Sequence, residues 1–238
     1  IGVFFSFFMG FLLIPTAAIL PTMMQELMGY PTITSGLVVG SRGIGTMAAM
    51  VVASRIARKV DIRLLVMLAF ICQGVSLAQM TAFSPEMDWW PIVTSGLLQG
   101  IGMGLGFSSL TIVCFSSLRP ELRTDGSAIY NLVRTLGSSI GISIIVTLLS
   151  HGIQHNHAEL VERLNMTGIA LDPTMSEKIM SAGGGSVLAM VEMEITRQAS
   201  MIAYLNDFHF MMLVTFALVP FTLLIRRIDH YEEMPAAE

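Results

Sequence analysis

Charge is what this sequence has least of. Only 13% of its 238 residues are Asp, Glu, Lys or Arg, where a water-soluble domain carries about a quarter. With 53% apolar residues and a mean hydropathy of +0.71, a chain this poor in charge would expose too much apolar surface to stay dispersed in water, so lipid is its natural solvent. The net charge of −4 supplies no basic excess, which argues against nucleic acid as a partner. There are two cysteines, Cys72 and Cys114. Both fall inside apolar runs and read as thiols facing lipid or core rather than as a disulfide. No phosphate-binding G-x-x-x-x-G-K-[ST] occurs, which excludes an ATP motor of that kind. No nucleophile-with-base arrangement stands out, so nothing points to an enzyme. No charged segment precedes the first apolar run, which excludes a signal peptide. A chain opening at Ile1 inside such a run reads as a piece whose upstream part is missing.

What the chain has in abundance is long apolar runs. A spanning helix needs about 20 mostly apolar residues, and six runs qualify: 2–24, 33–54, 64–83, 91–118, 127–149 and 208–225. None alternates with period 2, so a barrel is excluded. Backbone groups in hydrocarbon must be paired internally, so each run is expected to be a helix. The expected fold is an all-α integral membrane bundle of six helices, one unit over 1–238. Four connectors are short. The fifth, about 150–207, is long and mixed in polarity. It reads as an external segment of two helical stretches, 151–164 and 176–204, around a loop at Asp172–Pro173. Gly183, Gly184 and Gly185 should weaken the second stretch.

Basic residues set the expected orientation. Arg55, Arg58, Lys59, Arg63, Arg119, Arg123, Arg226 and Arg227 flank the spans on one side, while the short connectors on the other side hold none. The positive-inside rule puts that basic side, and both ends of the six-helix unit, in the cytoplasm. Tyr30, Trp89 and Trp90 stand at the opposite interface, where aromatic belts form.

Within the spans, Gly100, Gly102, Gly104 and Gly106 form G-x-G-x-G-x-G, and Gly137 and Gly141 form G-x-x-x-G. With no preceding strand, these read as close helix packing rather than as a nucleotide loop. Arg42 and Arg134 are the informative charges, since a mid-membrane arginine costs about 2.5–3.5 kcal/mol on insertion scales. Snorkelling is open to Arg134, about two turns from its cytoplasmic end. Arg42, near mid-span, is harder to excuse. The reading adopted is a polar cavity, which Asn131, three residues before Arg134 on the same face, is expected to share. Gln73 and Gln99 read as interhelical hydrogen bonds. His151, His155 and His157 have no further ligand at a metal-like spacing and read as a solvated helix end. Asp207 and His209, at the start of the last run, fit either a proton path or an interfacial helix start capped by Asn206 or Asp207.

Four stretches together are similar to a known family. They are Leu20-Pro21-x-x-x-Gln25-Glu26-x-x-Gly29-Tyr30 with Gly36-Leu37, Arg42-Gly43-x-Gly45, Ser54-Arg55-x-x-Arg58-Lys59-x-Asp61-x-Arg63, and Asn131-x-x-Arg134-x-x-Gly137-x-Ser139-Ile140-Gly141. They resemble the C-terminal half of the major facilitator superfamily, specifically its fourteen-helix drug/proton antiporters of the EmrB/QacA type. Ser41 stands where that pattern has Pro, Ser54 where it has Gly, and Arg58 where it has Asp, so Lys59, Asp61 and Arg63 carry the implied cytoplasmic gating loop. The resemblance implies the second of two six-helix bundles in a bacterial inner membrane, with the N-terminal half as its partner. It implies export of drugs or other amphiphiles by alternating access, driven by the proton gradient with no cofactor. A periplasmic adaptor and an outer-membrane channel are implied partners in some members, with the segment 150–207 as the docking surface. No central Asp or Glu is evident in these runs to couple protons.

Overall fold

The computed structural model describes residues 2–57, 60–116, 118–166 and 184–225. Each apolar run is a helix: α1 (Gly2–Glu26), α2 (Thr32–Ile56), α3 (Ile62–Met80), α4 (Trp89–Phe115), α5 (Arg123–Met166) and α6 (Gly184–Leu218). All six are long and apolar enough to cross a membrane, and the described residues hold no strand. Serine and threonine hydroxyls inside the spans stay satisfied by donating to carbonyls one turn back. Thr46 Oγ1 donates to Arg42 O (2.9 Å), Thr135 Oγ1 to Asn131 O (2.8 Å) and Thr215 Oγ1 to Met211 O (2.7 Å). This disposes of polar hydrogens that lipid would leave unpaired.

The helices pair through glycine. On α4, the G-x-G-x-G-x-G run divides between two faces. A Cβ at Gly104 would lie 2.5 Å from Thr46 O, and one at Gly100 would collide with Arg42 O, so these two glycines seat α4 on α2. Gly96 and Gly45 complete that seam, facing Ser41 Oγ and Leu97 O. A Cβ at Gly102 would instead lie 2.8 Å from Ala69 O of α3, and one at Gly106 would lie 2.7 Å from the Met9 Cε of α1. A second seam joins α1 to α5. There Gly10 meets the Arg134 carbonyl, Gly137 the Phe7 carbonyl and Gly141 the Phe11 carbonyl, whose oxygen would lie 2.5 Å from a Cβ at Gly141. Pro15 has no N–H to offer Phe11 O four residues back, so Gly141 lies against a carbonyl the helix itself leaves free. Five of the six glycines expected to pack closely thus meet a facing backbone carbonyl, and Gly106 meets the Met9 side chain.

The core lies where α1, α3 and α6 meet, with Phe5 against Phe70 and Phe83 against Phe208. α2 and α5 flank it and leave wide apolar faces exposed, including Leu37, Met47, Leu132 and Leu136.

Two boundaries differ from expectation. The fifth run does not stop near 149, because α5 continues for 44 residues to Met166. The sixth does not begin at Phe208, because α6 begins at Gly184, within the triple glycine. A change from apolar to polar side chains is not a helix stop. No proline lies at either junction, and Gly152 packs on Ala203 of the partner helix. The two stretches expected as separate are thus extensions of the spans, joined as an antiparallel pair by Asn156 Nδ2 to Ala199 O (3.4 Å). Arg197 Nε ties α6 to Leu27 O, just past the end of α1 (2.9 Å). From that level to Gly184, α6 runs on for about 20 Å at 1.5 Å per residue. The loop expected at Asp172–Pro173 lies outside the described residues, as do Arg58, Lys59, Arg226 and Arg227. At the other end of α6, Pro220 ends the α-helix and a 3-10 turn covers Pro220–Leu224.

Tyr30 Oη lies 3.5 Å from Met87 O, and Trp89 and Trp90 stack at 4.7 Å, so these aromatics share one end of the bundle. Arg55 and Arg63 stand at the opposite ends of α2 and α3. Gly29 makes the turn after α1 with a positive φ of 69°.

Candidate functional site

The polar residues in the spans fall into separate places. Arg42, on α2, is buried at 7% exposure, and neither its Nε nor its Nη2 has a hydrogen-bond partner. Its backbone lies against Gly100 of α4, and Gly102, half a turn on, meets the backbone N–H of Gln73 on α3 (3.0 Å from a Cβ there). Arg42, Gln99 and Gln73 therefore sit within about one helical turn of each other along the bundle. On α4, Gln99 occupies the strip between the row facing α2 and the row facing α3, with Ile92, Met103 and Leu110. It is fully buried (0%), and neither its Oε1 nor its Nε2 is hydrogen-bonded. Gln73 is 2% exposed, with its Oε1 unpaired. The interhelical hydrogen bonds expected of the two glutamines are thus not formed at those atoms. Hydrogen bonds between α4 and its neighbours come from serine instead. Ser76 Oγ donates to Ser95 O (2.7 Å) and Ser41 Oγ to Val93 O (3.4 Å).

Asn131 and Arg134 do not form a joint site with each other. Asn131 is exposed and donates to Ser127 O of its own helix (3.0 Å). Arg134 is half-buried, with its guanidinium 5.5 Å from the Phe107 ring centroid, a cation–π contact. Because α5 begins at Arg123, Arg134 stands about three turns in rather than two. The stretch Gly137-Ser138-Ser139-Ile140-Gly141 spells G-x-S-x-G, but it lies in continuous helix, not on the strand-to-helix turn that activates such a serine.

Asp207 is not an interfacial cap. It lies 23 residues into α6 and is 3% exposed, with its Oδ2 unpaired. The phase of α6 places it between Ala203, which packs on α5, and Met211, whose Sδ accepts from Thr16 Oγ1 of α1 (3.6 Å). The spans thus do contain a buried carboxyl, which the run boundaries concealed. His209 is exposed on another face of α6 and does not join it. Of the loop charges, Asp61 takes the N-cap position of α3 and is exposed, Arg63 is half-buried, and Lys59 lies outside the described residues. His157 Nε2 pairs with Glu192 Oε1 (2.9 Å) across the α5–α6 extension, while His151 and His155 are exposed.

Gln99 and Gln73 are what the reading by single residues underrated. The available signal was their common level on facing helices, which needs the registration of α3 against α4.

Comparison with known proteins agrees with this architecture. The Major Facilitator Superfamily family description matches residues 1–142, more than half of the chain. The chain is 33% identical over 148 residues to the multidrug export protein EmrB of Escherichia coli K12, covering 62% of this chain and 29% of that protein. It is 30% identical over 216 residues to the probable multidrug resistance protein EmrY of the same strain, covering 86% of this chain and 42% of the other. It is 24% identical over 188 residues to the fatty acid resistance protein FarB of Neisseria gonorrhoeae, covering 79% and 37%. The chain thus spans less than half the length of each of these relatives. Six glycine-seamed spanning helices, a family match over most of them and kinship to these export and resistance proteins together make the chain a member of the major facilitator superfamily, of the EmrB type.

Proposed function

We propose that this chain is the second six-helix bundle of a secondary transporter that exports drugs or related amphiphiles in exchange for protons. The observation that carries the reading is a membrane bundle with unpaired polar side chains in its interior: Arg42, Gln73, Gln99 and Asp207. A passive anchor has no use for such groups, which are costly in lipid and mark transport paths. The names of the relatives, which speak of multidrug export, multidrug resistance and fatty acid resistance, supply the substrate class.

In this reading, two half-bundles rock about a site near the midplane. The Gly100/Gly104 and Gly137/Gly141 seams hold α2 to α4 and α1 to α5 as rigid pairs. Arg42 and Arg134 belong to the wall of the substrate path, and Asp207 is the carboxyl of this half that takes up a proton. Lys59, Asp61 and Arg63 form the gating loop on the cytoplasmic side of a bacterial inner membrane. The α5–α6 extension projects to the other side and docks a periplasmic adaptor.

The test is dye accumulation in pump-deficient cells expressing the complete transporter. Lower accumulation of a fluorescent amphiphile, reversed by a protonophore, is expected. Protein present in the membrane with raised uptake of a nutrient, and no efflux, would replace export by an uptake permease.

A further inference from the structure

Arg42 is a buried cation with no anion of its own. No Asp or Glu occurs in α2, α3 or α4, and α1 has only Glu26, its last residue. Met9 of α1 meets Gly106 of α4, so Glu26 lies roughly 15 Å along the axis from the level of Arg42. Asp207, the buried carboxyl of α6, forms no ion pair with Arg42; ion pairs among the described residues are those of His157, Arg163 and Arg197. An uncompensated guanidinium in a low-dielectric bundle is strongly unfavourable unless an anion can reach it. At the same level along the bundle stand further unused groups, the Gln99 amide with both its oxygen and its nitrogen unpaired and the Gln73 amide oxygen. The glycine seam explains why the group is held at this place. Gly96, Gly100 and Gly45 bring the α2 and α4 backbones together and set Arg42 and Gln99 at one level.

Resting on the export reading above, we infer that Arg42, with Gln99 and Gln73 at its level in the bundle, is a receptor for the carboxylate head of an amphiphilic substrate. The guanidinium offers a fork of N–H donors matched to a carboxylate. Gln99 Nε2 supplies one more donor, and the amide oxygens accept from a neutral hydroxyl or amide on the same molecule. The surrounding apolar side chains, Ile92, Met103 and Leu110 on the Gln99 strip, suit the tail. The site therefore prefers anionic over cationic amphiphiles of equal chain length.

The experiment measures binding of dodecanoate and of dodecyltrimethylammonium to the complete transporter chain in phosphatidylcholine nanodiscs, without any transport step. Dodecanoate is expected to bind at least about tenfold more tightly. R42Q should abolish that preference by weakening dodecanoate alone, again about tenfold or more. Q99L, which keeps the side-chain bulk, should weaken dodecanoate by a smaller factor while leaving the cation unchanged. It also serves as the test if R42Q does not yield folded protein. Equal affinities in the wild type, or equal losses for both ligands in the variants, overturn the assignment and make Arg42 a structural charge. Loss of dodecanoate binding when phosphatidylglycerol is added, in the wild type only, assigns the site to a lipid head and equally overturns it as a cargo site. A transporter that exports dyes yet shows no carboxylate preference refutes this inference alone. One that binds dodecanoate as stated but exports nothing refutes the export reading instead.

Discussion

The two halves of α5 are built on different rules. Along its first part the helix lies against α1 with Gly137 and Gly141 set directly on carbonyl oxygens. Along its last part, past Gly152, it pairs with α6 through side chains: His157 with Glu192 (2.9 Å), and i,i+4 Arg163 with Glu159 (2.5 Å) on its own surface. α6 adds Arg197 to Glu194 at 3.5 Å. If the extension lies outside the bilayer, as proposed above, the contrast follows from the solvent. Lipid tails are as apolar as the helices, so association there depends on close backbone approach. Where water is available, ion pairs and amphipathic faces suffice. Even so, Met190 and Met193 stay largely exposed on the extension (70% and 73%), which is the apolar surface a docking partner would cover.

The largest expected effect tests the seams. Gly137→Leu or Gly100→Leu should drive a side chain into a facing carbonyl and cost about 3 kcal/mol or more. This would be read as loss of the monodisperse protein in detergent or a collapse of its thermal transition. Gly152→Ala, in the extension, should stay within about 1 kcal/mol, because its Cβ would meet the Ala203 methyl at 3.1 Å and the Ala203 Cα at an ordinary 3.7 Å. If the two substitutions behave alike, the distinction between the halves of α5 is wrong.

Arg134→Ala should come next. It removes the cation over Phe107 and the Cγ near Gly10, but leaves in place the Arg134 carbonyl against which Gly10 is seated. Export is expected to fall to background with normal membrane insertion, and unchanged export would remove Arg134 from the substrate path. Replacing the extension beyond Ala158 and Arg197 by a short flexible linker should leave the bundle folded and the adaptor no longer co-purifying. Retained co-purification would exclude the extension as the docking surface. The smallest effect belongs to Glu192→Gln, which removes an exposed pair with His157. A shift below about 1 kcal/mol is expected in thermal unfolding, and a larger one would mean that the extension is itself a packed unit.

The six helices were legible in the sequence because hydrocarbon leaves the backbone one local solution, and apolar length reports it directly. Gly137-x-x-x-Gly141 was legible for the same reason, since only close approach explains such spacing in a span. The ends of α5 and α6 were not. Polarity changes near Leu149 and Phe208, but the helical hydrogen bonds do not, and so Asp207 was read at the start of a span, as a proton-path residue or an interfacial cap, when it lies buried within α6. The partnership of Asn131 with Arg134 was inferred from i,i+3 spacing. That spacing brings side chains near each other but does not decide which of several neighbours each one takes.

Composition alone therefore determined the solvent, the secondary structure and the number of spans, because the free energy of an unpaired peptide group in lipid depends on nothing beyond its own helix. Tertiary structure decided which polar groups meet. Arg42, Gln73 and Gln99 stand far apart in sequence on three helices. They share a level only because Gly100 and Gly102 let α4 seat against α2 and α3 at fixed heights. The buried charge without a partner is a property of that registration, since an arginine is unpaired only relative to what the neighbouring helices bring beside it.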